Sequence, residues 1–321
     1  MRRALIIHNP RSGWRDVQRD LVQARAYLIE RGWSVELEQT RAAGDAGRLA
    51  LEAAEAGLDT ALVAGGDGTL NEAVNALVGT HTAIGLLPCG TANVWARQLG
   101  IPRSYRGLLD AARVIDEAHV HTIDVGRVTA RAFSGSRVTR HFLLWSGLGV
   151  DAHITRSVEP RPPAFRRWGA VSYTLAALRA ALAYRGVRAE IEIDGRRLDE
   201  RTLLTVVSNT ELYAGFLHLA PGARIDDGWL DVSVFRGQSF AALLGHFVSI
   251  LLGRHVHHPR LAAMRGRRIR VSTTEACDVH VDAEPIGTTP AEFEIVPRAV
   301  QVLVPIGAPR TLFELGLGEI E

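Results

Sequence analysis

The sequence contains no lysine, so all 37 of its Lys/Arg positions are arginines. A GC-rich genome is the simple explanation. The absence still excludes three kinds of site, because a P-loop lysine, the strand lysine of protein kinases and a Schiff-base lysine are all impossible here. Backbone N–H groups and Mg²⁺ could neutralise a phosphate in this chain without any lysine.

Cysteines, excess charge and long apolar runs are also scarce. Cys89 and Cys277 are the only cysteines, show no metal-ligand spacing and fit a reducing cytoplasm. The longest apolar stretch, from Phe240 to Leu252, contains His246 and is too short for a membrane span. The 37 basic and 35 acidic residues give a net charge of +2, which argues against general nucleic-acid binding. We therefore predict a cytoplasmic protein without a nucleic-acid partner.

The first part of the chain shows a regular alternation of strand and helix patterns. With 321 residues and 47% hydrophobic content, the chain can form two domains with their own cores. The alternation predicts an N-terminal α/β domain with a parallel sheet, whose ligands lie at the carboxyl ends of its strands. Strand patterns dominate afterwards and predict an antiparallel β domain. The predicted domains are 1–123 and 124–305, with 306–321 packing back on the first.

Several elements of the second part are predicted individually. A hairpin turn is expected at Asp194-Gly195. Strands are expected at 142–145, 189–193, 203–207, 230–235, 269–271 and 300–304, and helices at 170–184 and 240–253.

A strand, a glycine loop and a helix between residues 60 and 77 organise the first domain. The segment Gly65-Gly66-Asp67-Gly68 lets the backbone turn sharply and approach a ligand, and Thr69 is placed to cap the helix. Amides at a helix N-terminus form an anion site. Asp67 would repel a phosphate unless a metal ion lay between them, so we interpret the loop as a site for phosphate with Mg²⁺. An ordinary strand-to-helix turn is the alternative.

Three further motifs contain polar or charged residues that are candidates for ligand binding or catalysis. Gly90-Thr91-Ala92-Asn93 repeats the phosphate-loop pattern after a neighbouring strand. The segment Val279–Glu284 alternates with period two, which would place His280, Asp282 and Glu284 on one strand face, either as a metal-assisted acid or base site or as a solvated edge. The segment Asp226-Asp227-Gly228 is either a turn or a cation-binding loop.

Taken together, these motifs resemble the diacylglycerol kinase catalytic-domain family, specifically its soluble bacterial lipid kinases, with sphingosine and ceramide kinases as relatives. The five residues from Gly65 to Thr69 alone are shared with NAD kinases, whereas the ordered set is more specific. The resemblance covers nearly the whole chain and is carried by 9–13, 65–69, 88–93, 146–151, 227–228 and 282–284. It implies a fold of the NAD kinase and diacylglycerol kinase type, with a C-terminal antiparallel β-sandwich domain.

The resemblance also implies residue roles. Glu284 matches the general base, Asp67 matches an aspartate that joins water and Mg²⁺ near the phosphates, and Asp282 is a third catalytic candidate. A structural Mg²⁺ would bind the Asp227 carboxylate and the carbonyls of Arg224 and Trp229. The nucleotide-binding candidates are Asn9, Thr40, Gly65, Gly66, Asp67, Gly68, Thr69, Leu70, Asn71, Gly90, Thr91 and Asn93.

Two positions depart from the family pattern. Val94 stands where bacterial diacylglycerol kinases often have an aspartate of the metal network, and sphingosine and ceramide kinases have a small apolar residue. This departure weakens diacylglycerol as the default substrate. Ala283 replaces the usual glycine between Asp282 and Glu284, a mild change if φ is negative there, as in a regular strand.

The sequence therefore predicts a transferase, an ATP- and Mg²⁺-dependent kinase of a lipid hydroxyl, such as that of diacylglycerol or a sphingoid-type lipid. Transient peripheral contact with the inner membrane surface is expected. Two basic clusters are candidates for that contact, Phe165-Arg166-Arg167-Trp168 and the group Arg265, Arg267, Arg268 and Arg270, with solvated arginines as the alternative. A NAD kinase and a non-catalytic nucleotide- or lipid-binding regulator remain as alternatives, and a homodimer is compatible with the sequence.

Overall fold

The computed structural model of the chain describes residues 1–13, 16–102, 107–158 and 182–314. In the first part, strands and helices alternate as predicted. Their bounds are β1 Arg3–His8, α1 Gln18–Glu30, β2 Ser34–Gln39, α2 Asp45–Glu55, β3 Thr60–Gly65, α3 Asp67–Leu77, β4 Ala83–Pro88, α4 Val94–Leu99 and α5 Leu108–Asp116.

The first four strands form a parallel sheet in the order β2-β1-β3-β4. Every residue of β3 and β4 is buried, as expected for a parallel sheet that helices cover on both faces. Because the strands are parallel, their carboxyl ends meet at one edge. Backbone hydrogen bonds join the loops there, from the Asn9 amide to the Ala64 carbonyl and from the Thr40 amide to the His8 carbonyl.

The second part is dominated by antiparallel strands. A ring of antiparallel pairs runs β8-β9-β7-β15-β16-β14 and back to β8 around an apolar core, which confirms the predicted β-sandwich class. The bounds are β5 His119–Arg131, β6 Arg137–Phe142, β7 Trp145–Gly149, α6 Val150–Val158, β8 Val187–Ile193, β9 Arg196–Ser208, β10 Leu212–Tyr213, β11 Leu217–His218, β12 Leu230–Arg236, α7 Phe240–Leu251, β13 Leu261–Gly266, β14 Arg268–Thr273, β15 Asp278–Val281 and β16 Glu284–Val304.

Two long strands, β5 and β16, belong to both halves. Residue Val302 of β16 pairs in parallel with Ile84 of β4, while earlier residues of the same strand pair with β14 and β15. The sheet is therefore continuous across the predicted boundary at residues 123 and 124. After β16, Leu312 and Phe313 are buried in the same core as the N-terminal sheet.

Some local predictions are wrong. Residues 142–145 are not one strand, because β6 ends at Phe142 and β7 begins at Trp145. Thr69 does not cap α3, because the helix begins at Asp67 with Gly66 as its N-cap residue. The predicted helix 170–184, except for its last residues, and the cluster 165–168 lie outside the described residues.

Candidate active site

Two glycine loops and the segment after β1 pack against one another at the carboxyl edge of the sheet. A Cβ atom on Gly90 would lie 2.5 Å from the Gly66 Cα, and a Cβ on Gly13 would lie 2.1 Å from the Cys89 carbonyl oxygen. Such distances allow no side chain at these positions. Contacts within the protein itself therefore require glycine at positions 13 and 90, whereas a Cβ on Gly66 would lie 3.3 Å from the Gly90 Cα and would need only a small shift.

Gly68 is a different kind of glycine. It is the second residue of α3, and a Cβ atom there would meet nothing within 4 Å. The first hydrogen bond of α3 runs from the Leu70 amide to the Gly66 carbonyl, so the amides of Asp67, Gly68 and Thr69 precede it. These amides and the positive end of the helix dipole make this end of α3 suitable for a phosphate group.

A cavity of about 210 Å³ lies beside this helix end. It brings together three of the predicted nucleotide-binding residues, Asn9, Thr40 and Thr69. Asn9 donates a hydrogen bond from Nδ2 to Thr69 Oγ1 at 2.8 Å, which fixes both side chains at its wall. Two arginines that were not singled out from the sequence, Arg11 and Arg41, line it together with Glu72 and supply the positive charge that lysine would otherwise provide.

Asp67 links the two glycine loops. Its carboxylate accepts the backbone amides of Val94 at 3.0 Å and Trp95 at 3.2 Å, so it caps the N-terminus of α4. Burial raises the pKa of Asp67, and the two amide hydrogen bonds act in the opposite direction. The Val94 side chain is buried near Gly215, so this position of the family's metal network presents an apolar group to the protein interior.

The remaining nucleotide candidates differ in what they can offer. Thr91 is exposed in the loop before α4. Asn93 is buried with φ +46°, and it donates from Nδ2 to the Gly90 carbonyl at 2.7 Å. Within the described part of the chain, nothing donates to the buried Asn93 Oδ1, which leaves an acceptor beside the glycine loops. Leu70 packs its side chain into the core.

Asn71 and Asp282 connect the phosphate-facing helix to the second domain. Asn71 donates from Nδ2 to Asp282 Oδ2 at 2.7 Å and to the His141 carbonyl at 3.0 Å. Asn75, one turn further along α3, accepts the His141 amide at 2.7 Å. Asn71 therefore joins the two halves, a role that the sequence analysis did not foresee. The signal that was available is a pair of asparagines four residues apart, which places both on one side of α3.

The three residues expected on one strand face lie in three different places. β15 ends at Val281, and Asp282 and Ala283 form a two-residue turn with φ +45° and +69°. Both values match a type I′ turn. His280 is buried and hydrogen-bonds Asp151 at 2.6 Å, away from the turn. The prediction that these three residues share one strand face is therefore wrong, because a turn interrupts the strand at Asp282 and Ala283.

Asp282 points into the protein. Its carboxylate accepts the backbone amides of Leu143, Leu144 and Trp145 at 3.0 to 3.1 Å, in addition to the Asn71 amide group. Burial raises the pKa of Asp282 to about 6, although these hydrogen bonds favour the carboxylate. With four donors around it, Asp282 positions the turn and has no side-chain oxygen turned toward solvent.

Glu284 is the first residue of β16 and its side chain is 53% exposed. One carboxylate oxygen lies 3.6 Å from the Arg140 guanidinium. The turn that precedes Glu284 is tied to Asn71, four residues beyond the start of α3, which corresponds to about 6 Å along the helix axis. An exposed carboxylate is thereby held near the end of the helix that faces the cavity.

The predicted metal-binding residues lie in the loop before β12. Asp227 accepts the Trp229 amide at 3.0 Å and contacts the Arg265 guanidinium. Asp231 lies against the same arginine, and burial raises the pKa of Asp231 to about 6. Two carboxylates thus share one arginine. Nowhere in the described ranges do three His, Cys, Asp or Glu side chains converge to hold a metal ion. This finding does not test the predicted metal site, because its ligands are one carboxylate and two backbone carbonyls.

Comparisons with known proteins agree with this architecture. The model of the diacylglycerol kinase catalytic domain matches residues 3–128, and that of the YegS C-terminal NAD kinase beta sandwich-like domain matches 146–304. The diacylglycerol kinase of Bacillus subtilis (strain 168) is 30% identical over 307 residues, which are 95% of this chain and 97% of that protein. The chain therefore belongs to the diacylglycerol kinase family, which confirms the resemblance of the motifs, and it is a lipid kinase.

Two solved structures show the same fold. A protein from Bacillus anthracis str. Sterne, proposed to be a diacylglycerol kinase, has a TM-score of 0.76 at 24% identity over 96% of this chain and 98% of that one. Yeast NADH kinase in complex with NADH has a TM-score of 0.52 at 12% identity over 95% of this chain and 84% of that one.

Proposed function

We propose that the protein transfers the terminal phosphoryl group of ATP to the hydroxyl of a lipid such as diacylglycerol or a sphingoid-type lipid. The observation that carries this proposal is the open N-terminus of α3 at Gly68, beside a cavity lined by Arg11 and Arg41. Oriented amides and arginines suit a polyphosphate, whose transfer depends mainly on alignment and charge neutralisation. The relatives named diacylglycerol kinase support the lipid acceptor.

The chain's own residues would share the work as follows. The amides of Asp67 and Gly68 bind phosphate oxygens, while Asn9 and Thr69 hold the cavity wall in place. Glu284 takes the proton of the acceptor hydroxyl, because it is an exposed carboxylate held near the same helix. A positioned base contributes roughly 10²–10⁴ in rate.

Mg²⁺ is the second part of the proposal. The loop of Asp227 offers donors that suit a hard cation, because the proposed ligands are one carboxylate and the carbonyls of Arg224 and Trp229. The cation would replace the Arg265 guanidinium, which contacts both Asp227 and Asp231. Asp67 keeps carboxylate oxygens beside the glycine loops and is the candidate for a second ion. When bound, Mg²⁺ would neutralise phosphate charge.

A direct assay tests the proposal. Purified protein is incubated with radiolabelled ATP and Mg²⁺, with diacylglycerol, sphingoid bases, ceramide or phosphatidylglycerol in mixed micelles, and with NAD in a parallel sample. We expect label in one lipid class and none in NAD. Label in NAD alone would identify a NAD kinase. Nucleotide binding without transfer to any acceptor would identify a non-catalytic regulator and contradict the proposal.

A further inference from the structure

The inward side of helix α7 carries two buried polar residues and the partly buried Ile250. Over its 12 residues, the buried ones are His246 and Ser249. Large apolar side chains recur at helical spacing on the opposite side and extend just past the helix end, which makes one continuous stripe. The exposed fractions are Leu244 50%, Phe247 43%, Val248 45%, Leu251 55% and Leu252 62%.

The inward side of the helix is fixed by specific contacts. His246 Nε2 lies 2.9 Å from the Arg236 carbonyl oxygen, and its ring packs edge-on against Phe235 with a centroid distance of 5.2 Å. Ser239 accepts the Ala242 amide and caps the helix start. Rotation of α7 to bury its apolar stripe would break these contacts, so the outward apolar face is a defined feature of the fold.

Charge around the stripe has one sign. Residues 232–274 contain no Asp or Glu, but they include seven arginines and four histidines. Among these, Arg265, Arg268 and Arg270 of the predicted membrane cluster are paired with carboxylates elsewhere in the sandwich. Arg254 and Arg260, just beyond α7, are exposed and form no ion pair within the described part of the chain. Arg267 is likewise exposed and without an ion pair among the described residues, but it lies over the Trp229 ring, so two of the three unpaired arginines of this segment lie just beyond α7.

The stripe is structurally connected to the candidate active site. The short helical turn after α7 is tied to the β10–β11 hairpin, because His255 Nε2 lies 3.0 Å from the Leu219 carbonyl oxygen. At the tip of that hairpin, Phe216 is 58% exposed, and the Gly215 carbonyl accepts a hydrogen bond from Arg97 of α4. An apolar and basic surface thus continues from α7 toward the helix that follows the second glycine loop.

We propose that this surface, defined by the α7 stripe with Arg254 and Arg260, docks the protein on an anionic lipid bilayer. The inference rests on the proposed lipid kinase function, because it concerns how that site reaches its acceptor. A 12-residue helix is about 18 Å long and lies in the membrane interface, with apolar side chains in the acyl region and arginines at the headgroups.

The test compares two double variants with a matched control. Phe247→Asp with Leu251→Asp charges the stripe at exposed positions, and Val22→Asp with Ile29→Asp places the same two charges at 58% and 45% exposed positions of α1. Binding is measured by co-sedimentation with vesicles of phosphatidylglycerol and phosphatidylcholine that contain no acceptor lipid. We expect the α7 variant to bind at least about tenfold more weakly and the control to bind normally. Arg254→Ala with Arg260→Ala should lose about fivefold per arginine on anionic vesicles only.

Two further measurements separate this inference from its rivals. Turnover of monomeric, short-chain diacylglycerol should be unchanged in the α7 variant. Equal losses on the soluble substrate and on vesicles would mean that the face is used within the molecule and would overturn the inference. Normal vesicle binding by the α7 variant would also overturn the inference. The same holds if the variant converts a dimer into a monomer and leaves vesicle binding unchanged. Vesicle binding through α7 without phosphoryl transfer to any lipid would contradict the proposed function but leave the docking surface intact.

Discussion

The candidate site has a phosphate end, formed mainly by backbone atoms, and an acceptor end, formed mainly by side chains. At the phosphate end, backbone carries the geometry, since Gly66 and Gly90 touch each other and Gly68 faces open space. At the acceptor end, side chains carry it, since Asp282 is buried among four donors while Glu284 stands exposed two residues later. The comparison shows that adjacent carboxylates have separate tasks, one of position and one of chemistry. Each of the following variants tests that division.

The largest effect is expected at Glu284. Glu284→Gln preserves size and removes the basic oxygen, so turnover should fall by about 10²-fold or more, while ATP affinity changes little. Initial rates at saturating ATP, together with ATP titrations, measure both quantities. Glu292→Gln, an exposed glutamate of the same strand that pairs with arginines, is the control and should retain activity. A near wild-type rate for Glu284→Gln would leave proton loss assisted by the substrate as the better mechanism.

The raised pKa of Asp282 should make the free energy of unfolding depend on pH. Its pKa is about 6 in the folded protein, against an ordinary value of 3.8 for an aspartate, so the folded state holds its proton more tightly than the unfolded state. This contribution is fully present below pH 4 and is lost as the pH rises through 6. At about 1.4 kcal/mol per unit, the free energy of unfolding should fall by about 3 kcal/mol relative to Asp282→Asn, which does not titrate.

Urea unfolding of both proteins between pH 4 and pH 8 measures that difference. A difference that stays constant across the range would show that Asp282 has an ordinary pKa and is less desolvated than its surroundings indicate. The Asn variant should also lose less activity than Glu284→Gln, because Asp282 acts through the position of the turn. An equal loss would instead give Asp282 a direct part in the reaction.

Most of the fold follows from the sequence because its signals are local. The strand-loop-helix pattern around Gly66 combines an apolar strand, glycines and an amphipathic helix within one short segment, and the structure shows each of them. The antiparallel class of the second domain was also accessible from its short strand patterns. The break between Phe142 and Trp145 was not, because four apolar residues in a row give no sign of where pairing changes.

The arrangement of the site was less accessible. Asn71 and Asp282 are 211 positions apart, and no local pattern relates them. The turn at Asp282-Ala283 lacks the glycine that usually marks a type I′ hairpin. The alternation of apolar and polar residues therefore predicts one continuous strand across the turn. The role of Asp67 as the cap of α4 is hidden for the same reason, since the amides that it accepts follow 27 and 28 residues later.

At the phosphate end, Gly68→Ala should separate binding from folding. The added methyl group meets no protein atom and suits a helix, so the unfolding temperature should not fall. It would occupy the approach of a phosphate group, and the loss of one charge-assisted hydrogen bond weakens ATP binding about tenfold or more. Gly307→Ala, also without neighbours within 4 Å, is the control and should bind ATP normally.

The opposite result is expected at Gly90, which packs against Gly66. A methyl group on Gly90 would lie 2.5 Å from the Gly66 Cα, so Gly90→Ala should lower the stability of the loops by about 1 to 3 kcal/mol before any ligand is added. Thermal unfolding without nucleotide separates the two kinds of glycine. Equal behaviour of Gly68→Ala and Gly90→Ala would remove the distinction between them.

The smallest effect concerns Ala283, where the chain departs from the glycine of its family. At φ +69°, an alanine is in the left-handed conformation, which costs about 1–2 kcal/mol relative to glycine. Replacement by glycine removes this cost, but it also increases the conformational entropy of the unfolded chain, which offsets part of the gain. Ala283→Gly should therefore raise the free energy of unfolding by about 1 kcal/mol. Ala132→Gly, in a hairpin loop without positive φ, should lower it. If both variants lost stability, position 283 would have negative φ, and the regular strand would be restored as the better description of the segment around Glu284.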